Sequence, residues 1–184
     1  MIETTDNELI QNCLRGNVNS FETLVVRYQK TVYNAVFRLL GCVEDAEDIT
    51  QSVFIKVYEN LESFDPRYKF YSWIYRIAMN ESINFINSRK REEILDIEVA
   101  TRDQDPDENF QTLERENMIQ AALMRIDFEH RVLIVLKHFL DRSYHEIGQI
   151  LHLPEKKVKS RLYVARQKLA EILNEKGVKK YDKK

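Results

Sequence analysis

Only seven of the 184 residues break helices readily, four glycines and three prolines. A chain so poor in turn formers has little means of making many short strands joined by tight turns, and long helices are its expected elements. Apolar residues recur at three-four spacing to match. Asp6 is a candidate cap for a short first helix ended by Gly16. Asn19 and Glu22 have the spacing of a capping box for a second. That helix carries Phe21, Leu24, Val25, Tyr28, Val32, Val36, Leu39 and Leu40 along one side, with Gly41 as its stop. A third is expected from about Val43 to Leu61, its core stripe being Ala46, Ile49, Val53, Val57 and Leu61. A loop containing Pro66 then leads into a fourth, from about Lys69 to Arg91. The expected fold is all-α.

Residues 92–112 break this pattern. They hold Asp103, Asp105, Asp107 and Glu108 around Pro106, with few large apolar groups. Such a segment buries too little surface to offset the entropy of ordering it, so it reads as a flexible acidic linker and a domain boundary. Beyond it the apolar period returns, over about Leu113–Ile126 and again over Phe128–Leu140, with Val132, Leu133, Val135, Leu136 and Phe139 mostly inward. Ser143 and Glu146 form a second capping box, opening a short helix through Ile147, Ile150 and Leu151. His152-Leu153-Pro154 reads as a turn, and the final helix starts at Pro154 or Glu155. The organisation expected is a four-helix domain over 1–91, the linker over 92–112, a helix-turn-helix domain over 113–176 and a basic tail over 177–184.

The net charge of −2 argues against a nucleic-acid binder until its distribution is resolved. Residues 1–66 carry 5 basic and 11 acidic groups, and residues 67–91 carry 6 and 1. Residues 92–116 carry 2 and 10, 117–154 balance at 4 and 4, and 155–184 carry 11 and 4. Two basic blocks therefore flank an acidic one. A run of like charge is often only a solvated face. Here, however, each basic block lies on an expected helix with aromatic residues.

In the C-terminal block, a capped helix, a turn and a basic helix match the arrangement that sets a recognition helix in the major groove. Lys156, Lys157, Lys159, Ser160, Arg161 and Tyr163 stand at its start, with Arg166 and Lys168 further on. Early side chains of such a helix reach base edges, while its cations contact phosphates. The other block, Phe64 to Arg76, has six aromatics in thirteen residues interleaved with cations. Asn80, Asn84, Arg89, Lys90 and Arg91 follow. Single strands are held by aromatic platforms and cations, so Lys69, Trp73 and Arg76 join the candidates. For Trp73, Ile74 and Ile77 a place in the core is the favoured reading; Phe64, Tyr71 and Asn80 are expected to face outward.

Features of an enzyme are missing. No phosphate-cradling glycine loop and no GxSxG occurs. His130, His138, His145 and His152 fall on separate expected segments without HExxH or cysteine partners, so surface or packing roles are expected and no metal or cofactor. Cys13 and Cys42 stand alone and are expected to be reduced thiols. The start of the chain is polar and acidic, unlike a signal peptide, and no run of eighteen apolar residues occurs. A conventional helix-turn-helix regulator would account for the C-terminal block, but has no need of the aromatic-basic segment at 64–91.

Four segments in order resemble the extracytoplasmic-function (ECF) sigma factors of bacterial RNA polymerase, most of all the sigma-E envelope-stress group. FETLVVRYQKTVYNAVFRLL resembles region 2.1 and DAEDITQSVFIKVYENLESF region 2.2. FYSWIYRIAMNESINFINSRKR resembles regions 2.3 and 2.4, and SYHEIGQILHLPEKKVKSRLYVARQKL resembles region 4. The resemblance implies a cytoplasmic, non-catalytic initiation factor, monomeric when free, used in a stress response. Its partners would be core polymerase, promoter DNA and an anti-sigma factor. Asp45, Asp48, Gln51 and Phe54 would engage the β′ clamp helices. Phe64 and Asn80 would line a pocket for a flipped base of the −10 element. Lys159, Ser160, Arg161 and Tyr163 would read the −35 duplex. Val164 replaces a common arginine, Lys156-Lys157 a common Gly-Thr, and Asn84 a common aspartate, departures that bear on the promoter sequence read.

Overall fold

A computed structural model of the chain describes residues 4–93 and 110–175, with side chains over 4–89 and 116–175. The side chains of Lys90 and Arg91, most of the expected linker and the basic tail lie outside the described residues. Helix α1 (Asp6–Leu14) is capped by Thr5, whose hydroxyl accepts from the Glu8 N–H while the Glu8 carboxylate accepts from the Thr5 N–H. The expected cap, Asp6, lies one residue inside, where it receives hydrogen bonds from Arg27 and Tyr28 and ties α1 to α2. Helix α2 (Val18–Leu40) starts two residues before the expected box, because Asn17 accepts from the Ser20 N–H. Gly41, at φ 77°, ends it in the left-handed conformation that glycine adopts without a Cβ penalty.

Helix α3 (Val43–Glu59) and a 3-10 turn (Leu61–Ser63) lead to α4 (Phe70–Glu93). Helices α1 to α4 pack around Leu24, Val32, Val36, Leu39, Val53, Val57, Ile74 and Met79. Helix α5 (Phe110–Met124) starts three residues earlier than expected. Helix α6 (Phe128–Ile134) does not continue as an α-helix to Leu140. Val135–Phe139 widens into a π turn, in which the Leu140 N–H donates to the Val135 carbonyl at 3.1 Å. The change of pitch turns Phe139 outward, against expectation, and its ring lies 4.9 Å from the Arg38 guanidinium. Helix α7 (Tyr144–Leu151) has the expected Ser143–Glu146 capping box, and α8 (Glu155–Glu175) follows a turn closed by His152 at φ 52°. Gly148 permits this tight corner: a Cβ there would lie 2.7 Å from the Leu153 carbonyl oxygen. Among the described residues there is no strand.

Sequence patterning suggests two separate domains, yet the second packs on the first. Helix α7 lies against α4, and α5, α6 and the π turn lie against α2. Arg131, only 8% exposed, reaches from α6 to the Leu39 carbonyl at the end of α2, and also donates to the Met124 and Ile126 carbonyls. Gln120 bonds the Phe37 carbonyl and accepts from Arg38. The buried apolar residues form one cluster that runs through both domains.

Candidate nucleic-acid interface

Helical spacing sets Arg76, Asn80 and Asn84 in one row along α4. Asn80 and Asn84 are exposed, with amides open to hydrogen-bond a base. Arg76 is not open: it donates to the Gln149 carbonyl of α7 at 2.7 Å, and its Nε has no partner. Tyr71 also meets α7, its hydroxyl donating to Glu146. Over the Tyr71 ring lie Arg142 at 4.5 Å and Lys69 at 5.4 Å. Burial alone would raise the pKa of the Glu146 carboxyl, but hydrogen bonds from Tyr71 and Ser143 and the charge of Arg142 hold it down to about 2.

Phe64, expected to face outward, is 8% exposed and packs against Phe70 and Trp73 at centroid distances of 5.6 and 5.4 Å. Its ring helps hold the 64–70 loop on α4 and offers no open face. Trp73 is half-buried in the same trio. Arg89 leaves the row, lying over Phe85 and pairing with Asp45 on α3 at 2.6 Å. A cation expected at DNA and a carboxylate expected at polymerase thus neutralise each other.

On α3, Asp48 and Gln51 are exposed. Phe54 is instead 9% exposed and belongs to the core, because it follows Val53 on the inward side of the helix. The large apolar side chain on the outer face is Ile55, at 58% exposed. Asp48, Gln51, Ile55 and Tyr58 make an outward stripe, with Val26 also exposed on α2. The sequence carries the signal for Ile55: it lies off the Ala46-Ile49-Val53-Val57 stripe, so a bulky apolar residue there has no core to enter.

The candidates Lys156, Lys157, Lys159, Ser160, Arg161, Tyr163 and Arg166 of α8 are exposed, whereas Lys168 is half-buried and donates to Asp127. Val158, Leu162 and Ala165 hold the opposite side of the helix in the core. Lys159 pairs with Glu155 at 2.7 Å and Arg161 with Glu129 at 3.6 Å. Arg166 donates to the His138 ring at 3.1 Å. Such exposed pairs contribute between nothing and about 1 kcal/mol, so phosphates can displace them. Tyr163, 62% exposed, accepts from Gln167 at 3.0 Å, which steadies a ring aimed at solvent.

His130 pairs with Asp127 and His138 with Arg166, and among the described residues no group of three or more metal-ligating side chains gathers. Cys13 and Cys42 are free thiols. No helix among the described residues is long and apolar enough to cross a membrane.

Comparison with known proteins agrees with this layout. Residues 24–92 match the family model of Sigma-70 region 2, and residues 116–169 that of Sigma-70, region 4. The chain is 35% identical over 178 residues to the ECF RNA polymerase sigma factor SigW of Bacillus subtilis, covering 90% of this chain and 95% of that protein. It is 31% identical to the ECF RNA polymerase sigma-E factor of Haemophilus influenzae, covering 90% and 93%. Among solved structures, CnrH in complex with the cytosolic domain of CnrY superposes with a TM-score of 0.72 at 25% identity, over 92% of this chain and 97% of that one. The sigma factor RpoE of Bartonella quintana shares the fold, with a TM-score of 0.71 at 21% identity, over 84% and 96%. The chain belongs to the extracytoplasmic-function family of RNA polymerase sigma factors.

Proposed function

We propose that the exposed Asn80–Asn84 row of α4, extended by Lys69, Tyr71 and Arg76, binds the opened strand of the −10 element, and that Lys156 to Arg166 of α8 reads the −35 duplex. The observation that carries this reading is the contrast between the two surfaces. The row on α4 pairs neutral amides with an aromatic ring and cations, the chemistry of unpaired bases. The face of α8 is a cationic row on a helix-turn-helix, the chemistry of a groove. Asp48, Gln51, Ile55 and Tyr58 supply a mixed acidic and apolar stripe for the β′ clamp helices of core polymerase. Phe64 and Trp73 back the strand-binding surface rather than form it. Holding both domains at fixed spacing on polymerase lets two modest DNA affinities combine through effective concentration.

The chain makes no covalent change in this role and needs no cofactor, and it acts where polymerase is, in the cytoplasm. CnrH was solved bound to the cytosolic domain of another protein, CnrY. By that likeness we read the present chain as one held in check by an anti-sigma factor and released under stress. Run-off transcription from a genomic library with purified core polymerase tests the proposal. Discrete start sites that share an upstream and a downstream element are expected. Initiation from no fragment, with shifts of duplex DNA by a dimer, would instead assign a conventional regulator.

A further inference from the structure

The side of α8 directly opposite its core contacts is not its most basic side. Val158, Leu162 and Ala165 face inward. At about 3.6 residues per turn, the line farthest from them runs past Lys156 through Ser160, Tyr163, Val164 and Gln167, all exposed. Beyond Lys156 this line carries no charge. The cations stand to either side of it, Lys159 and Arg166 on one flank and Lys157 and Arg161 on the other. Long basic side chains on two flanks suit the two phosphate strands that wall a major groove. The uncharged line between them is left to meet the floor of the groove, where the base edges lie.

The middle of this line is apolar. Tyr163 is 62% exposed and Val164 40%. A single exposed valine is ordinary on a protein surface. This one sits beside a ring that the Gln167 amide, one turn further on, holds by its hydroxyl at 3.0 Å. Helix propensity does not favour it either, since valine is a poorer helix former than the lysines and arginines around it. Its branched side chain has few rotamers, so pressing it against a surface costs little entropy. Tyr163 and Val164 together form a stiff apolar contact in the middle of a face flanked by cations.

The apolar group that distinguishes one base pair from another in the major groove is the 5-methyl of thymine. Valine has neither a donor nor an acceptor. Set against a G·C pair, it would cover polar edges that lose water and gain no partner, which costs free energy. Set against thymine, it buries one apolar group on another. We infer that Val164, backed by Tyr163, is a specificity-determining residue of α8 that reads the methyl group of a thymine in the −35 duplex. This rests on the reading of α8 as the −35 helix. Ser160 and Arg161 remain for the hydrogen-bonding edges of neighbouring pairs.

The test uses the full chain with core polymerase, on promoters recovered by run-off transcription from a library randomised across the −35 element. A thymine is expected at one fixed position of that element, on either strand. Replacing it with deoxyuridine removes the methyl and leaves every hydrogen-bonding group in place. In filter-binding titrations the change should weaken the wild-type complex about fourfold, the equivalent of about 0.8 kcal/mol for one buried methyl-sized group. The penalty should fall below about twofold in Val164→Ala and persist in Val164→Ile. Both variants lie outside the core and should melt as the wild type does by circular dichroism, which separates lost discrimination from lost fold. Two results would overturn the inference: a shared −35 element in which no deoxyuridine weakens the wild type, or a penalty as large in Val164→Ala as in the wild type. The underlying reading fails differently, with recovered promoters that share no −35 element at all.

Discussion

Replacing Arg131 with methionine tests whether a buried cation without a carboxylate partner can hold two helix ends and the turn after one of them. Its guanidinium donates to the Leu39 carbonyl and, at 3.1 Å each, to those of Met124 and Ile126. Hydrogen bonds to a charged group contribute about 1.5–3 kcal/mol each, so the gross loss is roughly 4–9 kcal/mol. Two effects oppose it. Burial already pulls the guanidinium below its ordinary pKa, and the orphaned Nε costs about 1–3 kcal/mol that the mutation removes. Methionine keeps most of the packing volume of the stem, so the cavity contribution is small. A net loss of about 3 kcal/mol remains, at the lower edge of the range of roughly 3–5 kcal/mol for breaking a buried charged contact. For a chain of this size that lowers the melting temperature by about 6–12 °C in far-ultraviolet circular dichroism. Arg131→Lys should recover only part of the loss, since a compact ammonium does not span three carbonyls. A shift below about 2 °C for the methionine variant would refute the reasoning, because water would then be replacing the arginine at no cost.

Three further outcomes follow from the surfaces. Asn80→Ala should slow promoter opening by about tenfold through loss of base contacts, with core-polymerase binding unchanged; equal loss in both assays would contradict its placement. Arg161→Ala should cost about 1–3 kcal/mol on duplexes carrying the −35 element and much less on unrelated duplexes, in filter-binding titrations of the polymerase complex. Glu146 gives a pH signature. Its carboxyl is held at about 2 in the folded chain, below the value near 4.3 of an unfolded glutamate, so its stabilisation is complete above about pH 5 and is lost as pH falls from about 4 through 2. Acid titration of domain separation by small-angle scattering should show this step in the wild type and lose it in Glu146→Gln.

The seam between the domains changes how the charge pattern is understood. The basic block at 67–91 reads as one DNA-facing surface, yet its described cations divide among four partners. Arg67 pairs with Asp65, Arg76 caps α7, Arg89 neutralises Asp45, and Lys69 lies near Glu146. The block on α8 keeps its cations on the surface, in pairs that solvent weakens. The proposed duplex-reading face of α8 is thus exposed, while part of the proposed strand-binding face of α4 lies under α7.

Local chemistry was legible without any tertiary information. The Ser143–Glu146 box, the Gly41 stop and the core stripes of α2 and α3 follow from interactions spanning three or four residues, and the structure has each of them. The exposed face of α8 was readable for the same reason. Where neighbouring residues competed for one local role, the reading slipped: Thr5 and Asn17 took the caps expected of Asp6 and Asn19. The π turn that exposes Phe139 was invisible, since the apolar period continues smoothly across it. A period marks which side of a helix is apolar, but not which other element comes to cover the polar side. Tyr71 and Arg76 lie under α7 because of partners far away in sequence. The sequence by itself determined the helices, some of their ends and the family. Only the tertiary structure decided which cations stay on the surface and which cap a neighbouring helix, because a helix end becomes a binding site only once the other domain is placed against it.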